Sequence, residues 1–283
     1  GGPQNPRVVY EHSPLHDKAG SIKAFEALPL FSGRSTLEGV YLQASPSAPF
    51  IAYIQSELTE TPSCPFRPYP CTKFNPEPAL AHLELFNVKQ VIAVTDNVKA
   101  ALAKNPNYLQ GIEIGPYKIF HVIPGNGQYV LPLQYRPALV TEADWKRVAY
   151  EWFQKPAWLD VPLLFLRPGE PAPPAAVPFR GLEDGPTREA FASDCRVKET
   201  LDYEALRFET DCPGRPHLIK ISYHPKWHVS GADHIHLVSP AFMLVYPTAR
   251  VVRLVFGNRW PDYVGRMATA VGIIWLLTEI IGV

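Results

Sequence analysis

Apolar positions along this chain recur with two different periods. Residues 7–11 (RVVYE) and 89–95 (KQVIAVT) are short β-rich runs, and the second is continuous enough to be a strand covered on both faces. Residues 111–114 and 117–123 predict a hairpin turning through Gly115-Pro116, and 139–141 a further short strand. Helices are expected at 21–27, 49–58, 78–86 and 98–104, the last with Asp96 in N-cap position. The clearest helical spacing is in 144–154, opened by Thr141 or Glu142, with Trp145, Val148, Ala149, Trp152 and Phe153 on one side and Pro156 as its stop. Beyond residue 188 the pattern changes to short β-rich runs at 195–200, 205–210, 217–223, 227–229, 235–238, 242–246 and 251–256, which predict an antiparallel β-sandwich. The expected class is therefore α+β: an α/β domain over 1–166, a connector at 167–187, a β-sandwich at 188–262, then one transmembrane helix at 263–283.

That last element rests on residues 267–283 (MATAVGIIWLLTEIIGV), which carry one ionisable group, Glu279. Seventeen helical residues rise about 25 Å, slightly less than a hydrocarbon core of about 30 Å, so the helix is expected to continue past Val283. Small residues (Ala268, Ala270, Gly272) are interspersed, and Trp260, Tyr263 and Arg266 stand where interfacial anchors belong, with Trp275 further along. A carboxylate at Glu279 is costly in lipid and asks for a partner helix. The expected partners are thus the bilayer and other membrane-protein subunits, with a glycan as a further ligand class. The opening Gly1-Gly2-Pro3 lacks an initiator methionine and is read as a processed or truncated start.

Composition sharpens this picture. Proline reaches 31 of 283 residues, about twice the usual share, which excludes a helical bundle. Six of those prolines fall in 167–187, the composition of a stiff extended connector. Lys and Arg total 27 against 27 Asp and Glu, a balance that gives no basic face for nucleic acid. The four cysteines form two local pairs. Cys64 and Cys71 flank a proline-rich loop. Cys195 and Cys212 face each other in a hairpin centred between Tyr203 and Glu204, since 195 + 212 equals 203 + 204. Bridges 64–71 and 195–212 follow, as does an oxidising, extracytoplasmic compartment, periplasmic or cell-surface. A four-cysteine zinc site would need the short CxxC spacing that is missing.

Candidate chemistry is sparse. His224, His228, His234 and His236 cluster in sequence, and His234 and His236 share a strand face, so they are metal-ligand candidates against the alternative of loop histidines. Glu26, Arg34 and Glu38 lie near His12, His16 and Asp17 in a turn-rich stretch, either a sugar or phosphate site or an ion-paired loop. Tyr41, Phe50, Tyr53, Trp145, Trp152, Trp158 and Trp227 are read mainly as core. No phosphate loop, dinucleotide fingerprint or nucleophile elbow occurs, so no catalytic residue and no cofactor is expected.

Residues 218–229 (LIKISYHPKWHV), 239–245 (SPAFMLV), 251–256, Trp260 and the apolar tail together resemble the C-terminal extracytoplasmic region of bacterial polytopic membrane proteins of the YfhO type. They also resemble membrane proteins labelled "6-pyruvoyl-tetrahydropterin synthase-related". Residues 24–39 (AFEALPLFSGRSTLEG) and 86–94 (FNVKQVIAV) look like the same family. The resemblance implies a multi-helix glycosyltransferase using polyprenyl-phosphate sugar donors. The acidic catalytic residues of such enzymes sit between early membrane helices that have no counterpart in this sequence, so none is carried over. Two readings follow: a membrane-anchored binding or assembly protein acting as an accessory subunit, or the extracytoplasmic portion of such an enzyme.

Overall fold

The computed structural model describes every residue except 1, 40–41, 142, 174, 193 and 282–283, and the side chains of 42 and 281 are also left aside. The expectations at Tyr41, Glu142, Pro174 and Val283 lie outside the described residues. In chain order the N-terminal part runs β1 (Arg7–Tyr10), α1 (Leu28–Ser32), α2 (Ala48–Leu58), α3 (Pro76–Leu85), β2 (Val88–Ala93), α4 (Asp96–Lys104), β3 (Tyr108–Ile114) and β4 (Tyr117–Val122). Then come β5 (Val130–Pro132), β6 (Ala138–Val140), α5 (Trp145–Phe153), β7 (Leu163–Phe165) and β8 (Val177–Pro178). The remainder is β9 (Val197–Leu201), β10 (Ala205–Thr210), β11 (His217–Ser222), β12 (Trp227–Ser230), β13 (Ala232–Val238), β14 (Phe242–Pro247), β15 (Val251–Phe256) and α6 (Trp260–Ile281).

The described residues form three sheets: β1-β2-β4-β3, β12-β15-β10-β9 and a seven-stranded β5-β11-β14-β13-β7-β6-β8. The class is α+β, as the periodicity predicts. The seven-stranded sheet is covered on both sides. Val130, Ile219, Met243 and Val245 point to the β12-β15-β10-β9 sheet and meet Leu206, Phe208, Val252 and Leu254. The alternate residues, among them Leu218, Phe242 and Leu244, join the core built on α2, α3 and α5. Helix α5 buries Val148, Ala149, Trp152 and Phe153, and its N-cap is Asp144, whose carboxylate accepts from the Arg147 amide. Helix α4 differs from expectation by one residue. Thr95 is its N-cap and Asp96 its first residue, because Glu11 takes the Val94 and Thr95 amides at 2.7 and 3.0 Å and the Thr95 hydroxyl at 2.6 Å.

The two-domain division at 166/167 does not match the pairing. Strands β5, β6 and β7 come from the first part yet share a sheet with β11, β13 and β14. Nor is 167–187 only a stiff extended connector. β8 pairs in parallel with β6, and Val177 and Phe179 donate to the Pro137 and Leu139 carbonyls at 3.0 and 2.9 Å. Pro178, which has no N–H to offer, sits on the sheet edge where none is needed.

The hairpin β9–β10 has the expected register, Leu201 opposite Leu206 through Val197 opposite Thr210. Continuing it brings Cys195 to Cys212 with a Cα separation of 5.8 Å, and Cys64 and Cys71 are also 5.8 Å apart. Between β12 and β13 the chain steps from one sheet of the sandwich to the other at Gly231. This residue has φ of +79°, and a Cβ there would meet the Val251 carbonyl oxygen at 2.1 Å.

Helix α6 starts at Trp260, ahead of the expected 263, and is long and apolar enough to cross a membrane. None of its apolar window is buried. The Arg259 amide donates to Asp262 Oδ2 at 2.8 Å, which closes its first turn.

Candidate functional site

The residues singled out near the N-terminus separate into two places. Glu38 is buried, and its Oε2 lies 2.5 Å from His12 Nε2 and 3.2 Å from the Tyr10 hydroxyl. Burial, followed by the charges of Glu38 and Glu26, pushes the Tyr10 phenol well above its ordinary value. Glu26 reaches this cluster while pairing with Lys23 at 3.1 Å. His16 neither donates to nor accepts from Glu38. Its Nε2 meets the Glu11 carbonyl at 2.6 Å, and its ring packs against Phe25 and Tyr117. Arg34 is elsewhere, with its guanidinium on the Pro6 carbonyl at 2.8 Å. Glu26, Arg34 and Glu38 therefore do not converge on one ligand. His12, Tyr10 and Glu38 do form a compact polar unit, and Glu38 Oε1 is buried without a partner among the described residues.

A second buried pair joins α2 to α3. Glu57 Oε2 meets His82 Nδ1 at 2.8 Å, and His82 Nε2 donates to the Phe153 carbonyl at 2.8 Å. Both ring nitrogens are engaged, so this pair ties α2, α3 and α5 together and has no nitrogen left for a ligand.

A cleft of about 540 Å³ lies between the C-terminal end of α3, the β5 edge and the segment before β9. Its buried cation is Lys220, whose ammonium donates to the Glu84 carbonyl at 2.9 Å. Arg7, half-buried, donates to the Phe86 and Lys220 carbonyls at 2.7 and 2.8 Å. Desolvation lowers Lys220 to about 8. Both cations sit on the negative end of α3 and satisfy its terminal carbonyls, so their first role is capping. A lone Lys inside the apolar run LIKIS was the sequence signal for it, and it points to nothing more specific than a buried partner.

The four histidines also divide between two places, although the His234 and His236 rings stay in edge contact with centroids 5.8 Å apart. His236 is buried on β13, hydrogen-bonded through Nδ1 to Glu170. Burial by itself would raise the Glu170 carboxyl, but Arg167 and His236 outweigh it and hold the group below the ordinary carboxylate range. His224, His228 and His234 line a different pocket, with Arg167, Asp233 and Arg259. The four do not close to metal-ligand spacing. Among the described residues, the group that does is Cys195, Cys212 and His217, with ligand atoms within 4.8 Å of one another. The two sulfurs there are bonded to each other, which leaves no thiolate for a metal.

Of the aromatics, Phe50, Tyr53, Trp152 and Trp227 are buried, and Trp145 and Trp158 pack on the core. Trp260, Tyr263 and Trp275 are 75%, 55% and 62% exposed on α6. Arg266 and Glu279 lie on the same exposed helix.

A family described as "Domain of unknown function (DUF8559)" matches residues 3–135. That span takes in the β1-β2-β4-β3 sheet, α1–α4 and β5, and stops before most of the seven-stranded sheet. No curated protein and no solved structure matches the chain.

Proposed function

We propose that this chain is a membrane-anchored extracytoplasmic binding or assembly protein that works as an accessory subunit of a membrane complex. One observation carries the reading: α6 runs from Trp260 to Ile281, is predominantly apolar, with Glu279 as the one ionisable residue after Arg266, and has none of its membrane-length window covered by the protein. Such a helix in water would expose a patch far larger than soluble monomers carry. Two bridged cysteine pairs support an oxidising compartment. Glu279 supports a partner within the membrane. Gly265, Gly272 and Glu279 recur at seven-residue intervals, so the carboxyl lies on the face where small residues allow a second helix to approach closely.

The test is extraction. After expression with export, the full chain should stay in the membrane pellet at alkaline pH and enter solution only with detergent. Release by alkali alone would end the anchoring reading. Peptide mapping without reductant should recover 64–71 and 195–212 as linked pairs. Free thiols at all four positions would end the extracytoplasmic one.

A second reading is the extracytoplasmic portion of a polytopic lipid-linked-sugar glycosyltransferase. It is favoured by the resemblance carried by residues 218–229 and 239–245, which here fall on β11, the following turn, β12 and the first part of β14. Many hydrophobic spans upstream in the same reading frame would favour this reading, and a lone signal peptide there would favour the accessory subunit.

A further inference from the structure

Three of the histidines expected to ligate a metal gather instead with two arginines at the root of α6. The pocket they line holds about 310 Å³ and is bounded by Arg167, His224, His228, Asp233, His234 and Arg259. Arg259 immediately precedes the helix. Lys226, in the turn between β11 and β12, pairs with Asp262 in its first turn at 2.5 Å. The pocket is thereby held against the helix and does not depend on a loose loop.

Its donors point to an anion. Arg167 Nε is held by Glu170 at 3.2 Å, and the terminal nitrogens of its guanidinium have no protein hydrogen-bond partner among the described residues. Arg259 has one long contact, to the Trp227 carbonyl at 3.5 Å. His224 Nδ1 accepts from the Lys226 amide at 3.1 Å, which places the ring proton on Nε2 as a further donor. Asp233 is the one carboxylate among the lining residues, against two guanidinium groups. Planar guanidinium forks with N–H donors between them are the chemistry that recognises phosphate.

Position selects the source of that phosphate. Trp260 and Tyr263 stand where aromatic belts meet the headgroups. Residues 263–281 rise about 28 Å at 1.5 Å per residue, close to the hydrocarbon thickness. The pocket, one residue before Trp260, is then level with the headgroups. We infer that it binds the phosphate of an anionic lipid headgroup in the leaflet from which α6 emerges. The inference rests on the anchoring proposed above.

Native mass spectrometry of the full chain, released from micelles containing equal amounts of phosphatidic acid and phosphatidylcholine, tests it. One phosphatidic acid should be retained at least tenfold over phosphatidylcholine, and Arg259→Gln should remove most of that preference. His228→Asn, at an exposed position, serves as the second variant if Arg259→Gln does not fold. Equal retention of both lipids, or a preference unchanged in both variants, overturns the inference. Displacement of the lipid by millimolar inorganic phosphate would make this a free-phosphate site and overturn the lipid assignment. A chain that fails to float with pure phosphatidylcholine vesicles reports failure of the anchoring itself. A chain that floats with them but shows no lipid preference reports failure of the headgroup site alone.

Discussion

Strand β14 and helix α6 are almost equally apolar, and the protein treats them in opposite ways. β14, FMLVYP, has Phe242, Met243, Leu244 and Val245 all at 1% exposure or less, because one side of its sheet meets the second sandwich sheet and the other meets the helices. In α6, Val271, Ile273, Ile274, Trp275, Leu276 and Leu277 are each about half exposed or more, with no protein layer over them. An apolar run by itself therefore says only that something must cover it. Where the fold supplies two layers, the run becomes a central strand. Where it supplies none, the cover must come from outside the described fold, and the proposed anchoring assigns it to a bilayer.

The contrast is sharpest under truncation of the covered element. Phe242→Ala removes a ring packed between Phe86 and the α-helical core, 4.9 Å from the Phe86 centroid, and should cost about 3–5 kcal/mol in urea unfolding of the detergent-solubilised chain. A loss under about 1 kcal/mol would mean that the layer over β14 is not packed.

The covered region can next be probed with a proton. His217 begins β11 and stacks on Phe208 at 5.4 Å inside the sandwich. Its Nδ1 donates to the Arg215 carbonyl at 2.8 Å, and its Nε2 accepts from the Thr210 hydroxyl at 2.9 Å. Desolvation lowers its pKa from 6.5 to about 4. The unfolded chain therefore takes up a proton between pH 6.5 and 4 that the folded chain refuses. Stability is undiminished above pH 6.5 and falls by about 3 kcal/mol as the pH drops to 4. The urea midpoint of wild type should follow this slope, and His217→Gln should flatten it. Equal slopes would show that the sandwich interior is wet at His217.

A comparable effect is expected at the sandwich rim. Cys195 and Cys212 are separated by 17 positions, and opening a loop of that length costs about 3 kcal/mol. The double substitution to Ser should lower stability by that order. The shorter Cys64–Cys71 loop should cost less when opened in the same way. A larger loss at 64–71 would mean that its bridge is needed for the packing of Tyr69 on Tyr150.

What was legible in the sequence follows the range of the interactions involved. The β9–β10 register and its disulfide are local, so hairpin arithmetic recovers them. The same holds for α5, whose apolar side repeats within a few turns. β7 and β8 were not legible, because three-residue and two-residue strands acquire their identity from β6 and β13, far away in the chain. The proline count at 167–187 reads as a connector unless one knows that Val177 finds the Pro137 carbonyl. The histidine cluster was visible as composition. Its division was not, since Glu170 draws His236 to one side while Arg167 and Arg259 join the other three.

The smallest expected effect is the most direct check on the comparison. Leu276 lies midway along the apolar part of α6 and is 54% exposed. Leu276→Ala removes as many apolar atoms as a core Leu→Ala change, but it leaves no cavity because no protein atoms close over the site. Ectodomain unfolding should stay within about 0.5 kcal/mol of wild type, the range of a surface substitution. Leu244→Ala, the same chemical change on β14, should cost about 2–5 kcal/mol. Both can be measured on one detergent-solubilised background by the loss of near-ultraviolet circular dichroism. If Leu276→Ala instead destabilises the ectodomain as Leu244→Ala does, then α6 folds back onto the protein, and the bilayer is not what covers it.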